Sequence, residues 1–301
     1  MKTKTILSLL ILSSPIAFSN TYGVTGDYGY GTLDANSIYH ITTNGATRKV
    51  AETAVVPNSF AYNTGADVYY YGEHYGTNLY AYDVSSASNV MIADLTNHGM
   101  PAAFTLSGGA DFYNGTYYYS PELPSNVAGM IPQQATDIYA VDFSSDGLSI
   151  LSHNQLNVEL PVGWQSFGDF GDIAVDNSTG ILYGSSTSVN GNFGDAAYFW
   201  SIDLNEADKK VTVISQNDSA NARAYQIAYN AIENALFANQ FESNEYVVLD
   251  TATGAPISST PVAGDFYDLA STIEPDAVPE PSSALLLGMA ASVGLLRRKR
   301  V

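Results

Sequence analysis

The sequence contains no cysteine. That excludes a disulfide framework, thiol catalysis and zinc sites built on thiolates. Charge is also scarce, because Asp, Glu, Lys and Arg make up 14% of residues against about 25% in ordinary soluble domains. The scarcest class is basic: 11 Lys plus Arg stand against 30 Asp plus Glu, a formal net charge of −19. Six of those 11 lie at the ends, Lys2 and Lys4 at the start and Arg297, Arg298, Lys299 and Arg300 at the close. No acid precedes Asp27 or follows Glu280, so the body carries Arg48, Lys49, Lys209, Lys210 and Arg223 against all 30 acids, a net of −25. Such a body repels phosphate backbones and anionic lipid, which argues against nucleic-acid binding. No convincing amphipathic helix is found between Tyr22 and Thr272. The four histidines (His40, His74, His98 and His153) share no metal-ligand spacing, and no nucleophile elbow, P-loop or dinucleotide fingerprint occurs in a credible context. With 301 residues, the chain has room for one large domain or two ordinary ones.

The two ends read as addresses. Residues 1–19 have a charged start (Lys2, Lys4), an apolar run from Ile6 to Leu12 and small residues flanking Phe18 in Ala17-Phe18-Ser19. That is the order of a secretory signal peptide, cleaved near Ser19 by signal peptidase after export through the Sec machinery. At the other end, residues 273–281 form a linker closing on Val278-Pro279-Glu280-Pro281, and residues 282–301 hold a charge-free stretch from Ser282 to Leu296 and the basic cluster. Fifteen helical residues cover roughly 22 Å, so flanking residues and snorkelling arginines would have to extend them across a bilayer core of about 30 Å. The cations would then stay on the cytoplasmic side and the acidic body on the other.

This tail resembles the PEP-CTERM sorting signal of Gram-negative bacteria. The resemblance covers about two dozen residues, with the signature tripeptide on Pro279, Glu280 and Pro281, followed by the apolar stretch and the terminal cluster Arg297, Arg298, Lys299 and Arg300. It implies transient anchoring in the inner membrane and recognition by an exosortase, with removal of the helix and basic tail. It also implies delivery to the surface or extracellular matrix of an exopolysaccharide-producing cell. Two prolines disfavour helix around Glu280, which keeps the segment extended and open to a processing enzyme.

The body, residues 20–272, repeats. Alternating strands ending in a turn recur at Ile38, Leu79, Ile138, Phe199 and Tyr246; with Tyr39, Tyr80, Tyr139, Trp200 and Val247 as equivalents, the spacings are 41, 59, 61 and 47 residues. Four copies place an aspartate three residues on (Asp83, Asp142, Asp203, Asp250), where the first has Thr42. A second signature, from Asp172 and from Gln226, runs an apolar-Ala strand through a turn into another strand. Alternation, tyrosine and β-branched residues, and Asn/Asp/Gly turns predict strands joined in hairpins. Repeats of 40 to 60 residues built this way predict an all-β fold, a β-propeller of about five blades. Six or seven remain open if the third and fourth copies each hide one. "FYDLAST" from Phe266 looks like a first strand lacking its second, and "TYGVTG" from Thr21 like a second strand lacking its first. Joined, they would latch the ring, which a β-sandwich or jelly roll would not explain.

Candidate chemistry in the body is sparse. The recurrent aspartates are read as Asx-type turn caps. Asp203, Asn205 and Asp208 alternate oxygen ligands as some calcium loops do, but the loop lacks an EF-hand's glycine and distal glutamate. No other cofactor is implied. Glu73-His74 and Asp169/Asp172 are read as acidic spots on loops, and a glycosidase would need two carboxylates about 5 to 10 Å apart. The 22 tyrosines include Tyr69-Tyr70-Tyr71 and Tyr117-Tyr118-Tyr119. Their ordinary use is packing between sheets; the functional alternative is a sugar-stacking platform at Tyr70, Tyr118 and Trp164. The resulting expectation is a non-enzymatic surface or matrix protein that binds exopolysaccharide, with a propeller glycosidase or lyase as the alternative.

Overall fold

The computed structural model describes residues 21–26, 32–123, 137–167, 169–187, 189, 196–218, 224–230, 233–240 and 243–271. The signal-peptide segment, Pro279-Glu280-Pro281, the apolar stretch 282–296 and the basic cluster 297–300 lie outside the described residues. The body is all-β, with one short 3₁₀ turn, Leu95–His98, and no α-helix among the described residues.

In chain order the strands are β1 (Thr21–Thr25), β2 (Ser37–Ile41) and β3 (Thr47–Glu52); β4 (Pro57–Asn63), β5 (Val68–Glu73), β6 (Asn78–Asp83) and β7 (Ser88–Asp94). Next come β8 (Ala110–Tyr113), β9 (Thr116–Tyr119), β10 (Ile138–Phe143) and β11 (Ile150–Leu156); then β12 (Val158–Glu159), β13 (Asp169–Asp176), β14 (Ile181–Thr187), β15 (Ala197–Asp203), β16 (Lys209–Lys210) and β17 (Thr212–Asn217). The last are β18 (Gln226–Asn230), β19 (Ala235–Asn239), β20 (Glu245–Leu249), β21 (Pro256–Pro261) and β22 (Asp268–Ser271).

They form five four-stranded antiparallel blades: β22-β1-β2-β3, β4-β5-β6-β7, β8-β9-β10-β11, β13-β14-β15-β17 and β18-β19-β20-β21, numbered one to five. The inner strands meet in a closed ring, β22 against β4, then β8, β13, β18 and back to β22. Blade one joins both chain ends, Thr21 to Val24 pairing with Ser271 to Asp268. The latch and the blade count of five therefore stand as the repeats indicated. All five third-to-fourth strand pairs carry a register shift, the local irregularity that adds twist to an outer edge. Turns between those strands use a left-handed residue: Gly45, Gly147 and Gly254, at φ 78, 73 and 68°. Blade two has Ala87 at φ 51° instead, a conformation that costs a non-glycine residue about 1 kcal/mol.

Five apolar clusters fill the five seams between blades. Period-two alternation explains the tyrosine triplets, because a second strand is covered on both faces. Tyr70 packs into the seam between blades two and three, and Tyr69 and Tyr71 into that between one and two. Tyr117 and Tyr119 likewise face the two–three seam while Tyr118 faces three–four. Their hydroxyls are paired: Tyr70 donates to the Gly147 carbonyl at 2.9 Å, Tyr71 to Asn89 at 2.7 Å and Tyr117 to the Ser59 carbonyl at 2.6 Å. Outside the blades, β12 and β16 pair in parallel, with Lys210 on Glu159 at 2.9 Å.

Candidate functional site: an axial acid cluster and an interblade groove

Three inner strands bring an aspartate to the axis: Asp268 on β22, Asp111 on β8 and Asp172 on β13, at 0, 2 and 1% exposure. Each uses one carboxyl oxygen on the next amide of its own strand (Leu269, 2.7 Å; Phe112, 2.7 Å; Ile173, 2.6 Å). The other oxygen crosses to the following blade, accepting from Phe60 at 2.6 Å, Val175 at 2.6 Å and Ile227 at 2.7 Å. The remaining two seams use neutral groups. Ser59 donates to the Gly108 carbonyl at 2.6 Å, and Asn239 accepts from the Phe266 amide at 3.0 Å. Every seam is thus bridged by a side chain that satisfies inner backbone groups water cannot reach, which would otherwise cost about 1–3 kcal/mol each.

Among the described residues, the cations lie away from this axis, Arg48 and Lys49 on β3 and Lys209 and Lys210 on β16. Burial pushes the Asp111 carboxyl up to about 7. Burial also holds the Asp172 and Asp268 carboxyls well above the usual carboxylate range, and the neighbouring Asp172 raises Asp268 further. Two adjacent buried carboxyls cannot both ionise cheaply. Chemically the cluster is a proton-holding cross-link, since its oxygens are occupied by amides and closed to solvent. The sequence reading put Asp169 and Asp172 on a loop. The structure corrects it, because both belong to β13 and Asp172 is at the axis. Glu73 likewise ends β5, accepting from Asn78 at 2.7 Å.

A groove lies between blades four and five, of about 420 Å³, with an adjoining hollow of about 270 Å³ that shares Tyr225, Gln240 and Pro256. It opens along the outer strands of the two blades. Its floor holds Phe199 and Leu249, and its walls bear the amides of Asn217 and Gln240 and the hydroxyls of Ser185 and Ser215. Tyr198 and Gln216, opposite each other in register, share the face that meets blade three. Among the described residues the larger part has no charged lining, and Glu245 stands in the smaller. Gly254 lets the backbone press closely onto the floor, since a Cβ there would lie 2.7 Å from the Phe199 ring.

The three aromatic candidates are not brought together. Tyr70 is fully buried and stacked on Phe143 at 4.2 Å between ring centres, so it has no face for a sugar. Tyr118 is half-buried in the three–four seam. Trp164, half-buried, packs edge-on against Tyr198, 5.0 Å between centres. At the calcium candidate, Asp203 accepts the amide of Asn205 at 2.8 Å, an Asx turn, and Asp208 is exposed. No group of three or more metal-ligating side chains occurs among the described residues.

The destination of the protein is decided at its end, where the family model described as the PEP-CTERM protein-sorting motif matches residues 277–300. The chain carries a PEP-CTERM sorting motif. This motif implies export, an exosortase as processing partner and sorting to the cell surface. The body belongs to no assignable family, and no curated protein matches the chain in sequence. In fold it is similar to a chain of the nidogen/laminin complex, at 9% identity and a TM-score of 0.50, covering 85% of this chain and 98% of that one. Weaker likenesses are to a gluconolactonase from Xanthomonas campestris (10%, TM-score 0.46, covering 76% and 70%) and to TolB from Acinetobacter baumannii (14%, 0.45, 82% and 53%). At 9% identity the first likeness is one of fold alone.

Proposed function

We propose that the PEP-CTERM chain is a non-enzymatic component of the cell surface or extracellular matrix, its acidic propeller binding exopolysaccharide. A Sec signal peptide is removed near Ser19, the tail holds the protein briefly in the inner membrane of a Gram-negative cell, and exosortase then releases it. The observation that carries this reading is the sorting motif at residues 277–300 joined to a propeller of five closed blades. A glycosidase or lyase acting on the same polymer would need two carboxylates reachable by a sugar ring. The carboxyls of Asp111, Asp172 and Asp268 instead serve backbone amides and are closed to solvent. That supports binding over hydrolysis. The test is affinity electrophoresis of the full chain, in neutral detergent, through gels cast with the producer's own exopolysaccharide. Retarded migration without release of reducing ends is the expected result; unretarded migration, or release of reducing ends, would overturn the reading.

A further inference from the structure

The groove between blades four and five has a chemistry that selects among polysaccharides. Tyr225 is half-buried and lines both hollows. Its backbone is fixed by the Ser185 hydroxyl, which accepts the Tyr225 amide at 2.8 Å, and its ring packs on the apolar four–five seam. Around it stand groups that both donate and accept: Asn217, exposed, Gln240, half-buried, and Ser215. A ring face flanked by amides and hydroxyls suits a pyranose, which has one apolar face and a rim of hydroxyls. The combined space lies within the range of about 300–1,000 Å³ usual for small-ligand sites.

Charge narrows the class. Among the described residues no Lys or Arg lines either hollow, Glu245 is the one acidic side chain there, and the body carries −25. A uronate or sulfated polymer would enter against that field. From this juxtaposition we infer that the groove is a binding site for a short run of uncharged sugar residues, with Tyr225 as the stacking platform and Asn217 and Gln240 as hydrogen-bonding partners. The inference rests on the binding reading above and adds its location and ligand class.

The experiment uses the full chain in neutral detergent and native gels cast with dextran, hydroxyethyl cellulose, mannan, alginate or the producer's own exopolysaccharide. The proteins are wild type, Tyr225→Ala, the double variant Asn217→Ala/Gln240→Ala, and Leu151→Ala on the outer strand of blade three as control. Melting curves run alongside, and the surface amide variant keeps the test valid if Tyr225→Ala fails to fold. The expected result is retardation of wild type and Leu151→Ala by at least one uncharged polymer and not by alginate. Both groove variants should lose at least tenfold in apparent affinity at unchanged melting temperature. Equal retardation of wild type and groove variants would overturn the groove while leaving polysaccharide binding in place. Retardation by alginate alone would overturn the uncharged class. No retardation by any polymer would overturn both the groove and the binding reading.

Discussion

Replacing Asp111 with Asn removes a titration that the closed axis makes costly. The side chain is 2% exposed, and burial moves its carboxyl from 3.8 up to about 7. A group raised in the folded state contributes stability that is complete below its unfolded value and is lost as pH rises through its folded one. From pH 5 to pH 7 the unfolded chain has released this proton and the folded ring still holds it. Each pH step of one then removes about 1.4 kcal/mol, or about 3 kcal/mol over the interval. In a body of this size that is roughly 6–12 °C of melting temperature. Asn matches the protonated acid in shape but keeps one acceptor oxygen, so the Phe112 or Val175 amide loses its partner, at about 1–3 kcal/mol. Asp111→Asn should therefore melt below wild type at pH 5 and lose less on going to pH 8.5, so that the gap closes or reverses. The Asp172–Asp268 pair titrates in both proteins and largely cancels in the difference. Calorimetric melts at constant ionic strength read this directly, and parallel pH profiles for the two proteins would refute the reasoning.

Three other changes probe the seams and the tail. A Cβ on Gly109 would lie 2.2 Å from the Asp172 carboxylate and 2.5 Å from the Asp172 Cα and the Ile173 nitrogen. Gly109→Ala should cost about 3 kcal/mol, read as a lower denaturant midpoint. A chain stopped after Asp265 lacks β22, so β1 loses its inner neighbour and Phe60 its carboxylate acceptor; it should show no cooperative melting transition, whereas a chain ending at Ile273 should. Glu280→Ala should leave the tail attached and the protein in the membrane fraction, as seen by immunoblotting of fractionated cells, and unchanged release would sink the sorting claim.

How much of this was legible in the sequence depended on the range of the interactions. The repeated third strands were visible because their alternation and their turns are local. Asp83, Asp203 and Asp250 do accept the amides of Ser85, Asn205 and Ala252, within two residues. Asp142 departs from that pattern: its carboxylate accepts from Thr116 and Ser152 on neighbouring strands, and Asp146 caps the turn instead. The latch was visible because each end fragment is half of a recognisable hairpin. The axial cluster was hidden, since Asp268 meets Phe60 across 208 residues, Asp111 meets Val175 across 64 and Asp172 meets Ile227 across 55. One local trace exists, the resemblance of Asp268-Leu269-Ala270 to Asp172-Ile173-Ala174 at the head of two inner strands. The tyrosine-rich composition drew attention to the triplets, but a triplet on a second strand is covered from both sides, which local sequence does not show. Tyr225 stands alone in sequence, and the groove around it is assembled from residues between Ser185 and Ser259.

The central claim, that an exported propeller holds uncharged polysaccharide between blades four and five, is tested most directly by calorimetric titration of the full chain with oligosaccharides cut from the producer's exopolysaccharide. The account predicts saturable binding at one site per chain, lost in Asn217→Ala/Gln240→Ala while the melting temperature stays unchanged. Absence of heat with wild type, or identical isotherms for wild type and the double variant, would contradict it.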